Sequence, residues 1–165
     1  MKNPHRTTRS SSIYIWKGSM ATFSRHAVVE WNGELIRGTG RVKAGSAAFT
    51  APVTFPRLGG EVPGHTTPEE LLAAAHATCY AIGLRSIIGR YGGHARRVTV
   101  TATIKAEKGS RGIRIQSSHL SGVVDGLEGI GPAKLQEIAQ AAEDECTISI
   151  AVRGSVKISF DVTAL

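Results

Sequence analysis

Cysteine is scarce in this 165-residue chain, which holds Cys79 and Cys146 and no others. They do not form a CxxC pair, so a thioredoxin-type motif is absent. Two cysteines among scattered histidines do not give zinc-ligand spacing either, and no metal is expected. The chain has no low-complexity tract and no internal repeat at a fixed period. It shows no apolar run that reads as long enough to span a membrane. Acidic residues are missing from positions 1–19, which carry Lys2, Arg6, Arg9 and Lys17. The formal net charge of +7 at first suggests a polyanion partner. Four of the 20 basic residues and none of the 13 acids lie in that stretch, so the remainder has a net charge of only +3. The basic character is therefore largely that of the tail, and nucleic acid is not an expected partner.

The tail also lacks the apolar core of a secretory signal. It is Arg- and Ser-rich like a transit peptide, but short. Met20-Ala21-Thr22 is the more natural start, so residues 1–19 are read as a mobile or non-native extension and 20–165 as one domain. Ile13 to Trp16 could add a strand. The expected compartment is a reducing cytoplasm, where two cysteines serve more often as thiols or redox catalysts than as a staple.

What is present is a strong helix signal. Thr67 is a ready N-cap, Pro68 suits the first helical position, and Glu70 falls at the capping-box position. Ala and Leu dominate the residues that follow, which predicts a close-packed buried helix from Pro68 to about Arg90, ended by Tyr91-Gly92-Gly93. Before it, residues 22–31 read as a strand, Asn32-Gly33 as a hairpin turn, 35–43 as the return strand and about 48–55 as a third. After it, alternation marks strands at 96–107 and about 113–124. Pro132 starts a second helix that ends near Cys146, and 154–164 closes as a strand. Ile148, Ile150 and Val152 fit a short helix or a strand equally. The expected fold is α+β, with antiparallel sheets around a long buried central helix.

Cys79 lies inside the predicted helix, and the bland reading of both cysteines is small buried core residues. His76 stands one turn before Cys79 and could be its base. No third orienting group accompanies it, so packing is the favoured role. Arg57 lies on the Gly- and Pro-rich loop before the helix. Its ordinary reading is a solvated loop side chain; its functional reading is a cation that stabilises a thiolate. Cys79 is too deep in its own helix to use that helix's N-terminal dipole, so a lowered thiol pKa calls for a neighbouring positive charge. Glu70 is engaged in capping, which leaves Glu69 free to hold a cation. Ten residues separate Glu69 from Cys79, about 15 Å along an unbroken helix. If both serve one site, the helix is broken or they come from different subunits.

The run Thr66-Thr67-Pro68-Glu69-Glu70-Leu71-Leu72-Ala73-Ala74-Ala75-His76-Ala77-Thr78-Cys79-Tyr80 closely resembles the signature of the OsmC/Ohr family of thiol peroxidases, in its OsmC branch. Val29 to Gly33 with Gly38-Thr39-Gly40, then Thr54 to Arg57, and Ala141 to Ser149 resemble its flanking segments, so the likeness covers about residues 22–165. It implies a Cys-based peroxidase of oxidative and osmotic stress defence that needs no cofactor. Organic hydroperoxides are reduced in preference to hydrogen peroxide, and a lipoyl-type dithiol resets the enzyme. Cys79 would be the peroxidatic thiolate, Cys146 the resolving thiol, Arg57 the activating cation and Glu69 its anchor. The implied assembly is an intertwined homodimer with sites at the subunit interface. Two departures stand out: Thr147 occupies the position where a proline commonly follows the second cysteine, and the Arg57–Glu69 loop is about two residues longer than usual. Arg37 and Arg41 are the fallback candidates for the activating Arg. The alternative from another class is a non-catalytic dimeric stress or ligand-binding protein with structural cysteines.

Overall fold

The computed structural model describes residues 22–55, 60 and 62–165. The extension 1–19 and Arg57 lie outside the described residues. The chain runs β1 (Ala27–Asn32), β2 (Thr39–Ala44), β3 (Thr50–Val53), α1 (Pro68–Arg90), β4 (Arg97–Gly109), β5 (Gly112–Asp125), α2 (Pro132–Glu145), α3 (Thr147–Val152) and β6 (Lys157–Ala164). The strands form two three-stranded sheets, β1-β2-β3 and β4-β5-β6, and the fold is α+β as expected.

α1 begins and ends where its sequence signals lie. Thr67 Oγ1 accepts from the Glu70 N–H at 3.3 Å, with Pro68 at the first position. At the far end the Gly93 N–H donates to Ile88 O and the Gly92 N–H to Gly89 O, with Gly92 at φ +76°. That is a Schellman cap, which needs the left-handed conformation glycine allows.

One face of α1, with Tyr80, Leu84, Ile87 and Ile88, packs into the core against α2 and the inner face of the second sheet. Leu120, Val124 and Val162 supply the sheet side, and Leu135, Ile138, Ala139 and Ala142 the α2 side. Gly83 faces Ala142 of α2, and a Cβ there would meet Ala142 Cβ at an ordinary contact distance of 3.6 Å. The opposite stripe of α1, Ala75, Thr78, Ile82, Arg85 and Gly89, is exposed. The helix is thus buried on one side of this chain rather than all round. By length and its mean hydropathy of 1.4 it also qualifies as a membrane-crossing segment, contrary to the reading of the sequence alone. Its packed face and the buried, hydrogen-bonded His76 give it the surroundings of a core helix.

Two expectations need correction. The sheets are not wholly antiparallel, because β6 pairs parallel to β5, with Leu120 opposite Phe160 and Gly122 opposite Val162. The chain between them carries α2 and α3, and this helical crossover returns it in the same direction. The first hairpin is also wider than a two-residue Asn-Gly turn. Asn32 pairs with Thr39, and residues 33–38 form the loop. The loop closes tightly on two glycines: a Cβ on Gly38 would lie 2.4 Å from Glu34 O, 2.5 Å from Asn32 O and 2.7 Å from Trp31 Nε1, and one on Gly40 2.8 Å from the Trp31 ring. Backbone carbonyls and the indole thus leave no room for a side chain at Gly38, and β2 starts after it.

The first sheet stands apart from the core. Every residue of β1 is exposed, including Val28, Val29 and Trp31. It is anchored where β3 meets the start of α1: the Thr54 N–H donates to Thr66 O and the Thr66 N–H to Pro52 O.

Candidate active site

Cys146 lies between two helices. It ends α2 and caps α3, with an extended backbone at φ −69°, ψ 115° that turns the chain from one to the other. Its Sγ accepts from the Ser149 N–H at 3.5 Å, a thiol in the role usually taken by Ser or Asp. The turn presents Cys146, Thr147 and Ile148 to the middle of α1, where Cys79 sits half-buried. Thr147 Oγ1 is 3.6 Å from Cys79 Sγ. Both cysteines are free thiols.

The surroundings divide the proton unequally between them. Burial pushes the Cys79 thiol up, but hydrogen bonds from the Cys146 thiol, the Ile148 and Thr147 backbone and the Thr147 side chain outweigh it and hold Cys79 below the ordinary cysteine value. Burial and the same bond, in which Cys146 is the donor, push Cys146 up. Of the two thiols, Cys79 is therefore the one that gives up its proton more readily. The sequence argument required a cation to lower the Cys79 pKa. Here donors from the start of a different helix also do so, a possibility that inspection of α1 alone could not reveal.

Glu69 is not part of this cluster. α1 runs unbroken from Pro68 to Arg90, so Glu69 and Cys79 of one chain stay about 15 Å apart along it. Glu69 lines a cleft of about 620 Å³ with Thr67, His65, Glu70, Ile104 and Lys108. Among the described residues, its Oε2 is the buried side-chain polar atom without a hydrogen-bond partner. Leaving a buried carboxylate oxygen unpaired is costly, so it marks a place for a donor. Arg57 lies outside the described residues. Arg37 and Arg41 are exposed on the first hairpin.

Reasoning from sequence missed two serines. His76 is buried, with Nδ1 2.8 Å from Ser118 Oγ and Nε2 2.9 Å from Ser149 Oγ. Burial lowers its pKa, against a smaller raising effect of Glu143, so the ring is held neutral and donates through one nitrogen while accepting through the other. His76 is engaged on both sides and ties α1 to β5 and to α3; these bonds fit a packing role rather than that of a base for Cys79. Ser149 is the same residue whose N–H caps onto Cys146. Arg153, just past α3, holds the buried Glu143 carboxylate of α2 at 2.9 and 3.0 Å and pins the other end of the short helix. Nothing periodic in the sequence marks Ser118 or Ser149.

A family model described as OsmC-like protein matches residues 59–161. Peroxiredoxin OsmC of Escherichia coli (strain K12) is 28% identical over 143 residues, covering 86% of this chain and 98% of that protein. An organic hydroperoxide resistance protein-like 2 of Staphylococcus epidermidis is 24% identical over 128 residues, covering 76% of this chain and 87% of that one. Among solved structures, an organic hydroperoxide resistance protein from Elizabethkingia anophelis superposes with a TM-score of 0.72 at 22% identity, covering 89% of this chain and all of the other. An OsmC protein from Legionella pneumophila does so with a TM-score of 0.69 at 21% identity, covering 87% and 99%. These likenesses show a shared fold.

Proposed function

The chain belongs to the OsmC-like protein family, and on that premise we propose that it is a thiol-dependent peroxidase that reduces organic hydroperoxides, and hydrogen peroxide less well. The observation that carries this reading is that the turn of Cys146 and Thr147 is set against Cys79, with Thr147 Oγ1 3.6 Å from Cys79 Sγ, in surroundings that lower the Cys79 pKa and raise that of Cys146. The names of the relatives, a peroxiredoxin and hydroperoxide resistance proteins, support the same chemistry.

The steps follow from that asymmetry. The Cys79 thiolate attacks the terminal oxygen of a hydroperoxide. An S–O bond forms, the O–O bond breaks, and its electron pair leaves on the alkoxide, which takes a proton from water. Cys79 is left as a sulfenic acid. Cys146, still carrying its proton, then condenses with it, forming the Cys79–Cys146 disulfide and releasing water. An external dithiol of the lipoyl type restores both thiols by exchange and is itself oxidised to a cyclic disulfide. The setting is a reducing compartment, the cytoplasm, in oxidative or osmotic stress.

Arg57 and Glu69 complete the site in a homodimer. Arg57 stabilises the thiolate and the charge developing on oxygen, and Glu69 holds Arg57. Three features support two copies: the unpaired Glu69 Oε2, the exposed stripe of α1, and a first sheet with exposed Val28, Val29 and Trp31. Residues 20–165 act as one domain in this scheme.

The test is an intact-mass and free-thiol count before and after one equivalent of cumene hydroperoxide. The expected result is loss of both thiols per chain, a mass two hydrogens lower, and reversal by dihydrolipoamide. Cys79→Ser should abolish turnover. Two untouched thiols, or full peroxidase activity in Cys79→Ser, would overturn the assignment.

A further inference from the structure

We propose that Thr147 is a third catalytic side chain of the Cys79 site, donating its hydroxyl hydrogen to the thiolate and accepting the O–H of the incoming hydroperoxide. The inference rests on the peroxidase reading above and deepens it. Its basis is direct contact: Thr147 Oγ1 lies 3.6 Å from the sulfur that would react. Thr147 is also the first residue of α3, immediately after the Cys146 cap, so the position of its side chain is fixed by the turn that brings Cys146 to α1.

The identity of the residue matters because helix formation does not require it. The first helical position accepts proline well, since its backbone N–H has no partner within the helix. A proline there would give Cys79 neither a hydroxyl nor an N–H. Threonine gives both, and both act to favour the charged form of Cys79.

The hydrogen-bond roles follow from the protonation states. A thiolate only accepts, so the Thr147 hydroxyl must be the donor in the pair. Its single hydrogen is then committed to sulfur, while its two lone pairs remain. Among the functional groups of an alkyl hydroperoxide, the terminal O–H alone is a donor. A hydroperoxide that donates this hydrogen to Thr147 Oγ1 places its terminal oxygen beside Sγ, and that is the oxygen the thiolate attacks. No proton leaves Thr147 in the step. The hydrogen on the terminal oxygen stays with it and becomes that of the sulfenic acid, and the alkoxide is protonated by water. Thr147 is exposed on its outer side, so substrate can reach the contact.

The experiment compares wild type with Thr147→Val, Thr147→Ser and Thr147→Pro in the full chain. Cys79 alkylation by iodoacetamide is followed against pH, with the site assigned by peptide mass. The rate of oxidation by cumene hydroperoxide is measured in parallel at a pH where Cys79 is fully ionised. Thr147→Val keeps the shape and removes the hydroxyl. It should raise the alkylation midpoint by about one pH unit, the scale of a lost hydrogen bond to a charged group. It should also slow oxidation of the ionised thiol. Thr147→Ser should restore both, and Thr147→Pro should shift the midpoint at least as far as Val. A purely structural role would move neither the midpoint nor the rate at full ionisation in this pattern. The proposal is overturned if Thr147→Val matches wild type in both readings, or if Thr147→Ser behaves as Val does. If Cys79→Ser remains fully active, the peroxidase reading falls with it. If Cys79→Ser is inactive while Thr147→Val is unchanged, only the role of Thr147 falls.

Discussion

Replacing His76 with leucine removes the link between three elements while nearly preserving volume. His76 is 1% exposed, and its two ring nitrogens lie 2.8 and 2.9 Å from the hydroxyls of Ser118 and Ser149, themselves buried. The variant leaves two hydroxyls without their partner inside the core. Each abandoned buried group costs about 1–3 kcal/mol. A serine hydroxyl can turn to a nearby backbone carbonyl, which recovers part of that cost. The expected loss is therefore roughly 2–4 kcal/mol. Urea unfolding at fixed protein concentration measures it as a lower midpoint with an unchanged slope. Adding Ser118→Ala and Ser149→Ala to His76→Leu gives the decisive comparison. Removing both partners of a buried hydrogen bond is far less costly than removing one, so the triple variant should regain at least half of the lost stability. A loss below about 1 kcal/mol in His76→Leu, or a triple variant less stable than the single one, would refute the network.

Two further predictions follow from core geometry. Burial holds the His76 pKa below its ordinary value of 6.5, with Glu143 opposing, so the unfolded chain takes up this proton at a higher pH than the folded one. The stability contribution of neutral His76 is complete above pH 6.5 and is lost as pH falls through the window below it; urea midpoints should decline there in wild type, and His76→Leu should lack that component, an equal decline in both being the refuting result. Gly83→Ala should stabilise the protein by roughly 0.5–1 kcal/mol by removing a mid-helix glycine, because the added Cβ meets Ala142 Cβ at an ordinary 3.6 Å; a lower midpoint would show that the α1–α2 contact has no room for it.

How legible each part was depends on the range over which it is encoded. α1 could be read to the residue because its limits are local: Thr67 and Pro68 at one end, Tyr91-Gly92-Gly93 at the other. The strand pattern after it was equally local. The parallel return of β6 was not, since direction is set by how two intervening helices pack rather than by alternation within the strand. The turn after Asn32 was misplaced because the loop runs on to Gly38, whose close packing against Glu34 O, Asn32 O and the Trp31 indole is not visible in the Asn-Gly pair. In the site, Cys79 and Cys146 could be named from the signature they sit in, but their adjacency depends on a break between α2 and α3. His76 looked like a lone core histidine because its partners lie 42 and 73 positions away. Thr147 stood out only as a departure from an expected proline, and its meaning required the 3.6 Å contact.

α1 also determines how a complete site can be assembled. An unbroken helix is a rigid spacer, so Glu69 and Cys79 keep their separation of about 15 Å whatever the loops do. No side-chain rearrangement within one chain brings them together. A site in which the Glu69 carboxylate directly neighbours Cys79 would therefore take the two residues from different copies. A two-fold axis meets that demand twice, giving two equivalent sites per pair of chains. The same axis needs a self-complementary surface, and the exposed stripe Ala75, Thr78, Ile82, Arg85 and Gly89 lies on α1 between the two residues and beyond them. The first sheet, joined to the start of α1 but leaving β1 uncovered, is the natural element to reach across. In the proposed homodimer, the unpaired Glu69 Oε2, the exposed stripe of α1 and the exposed β1 are the surfaces that a second copy would cover.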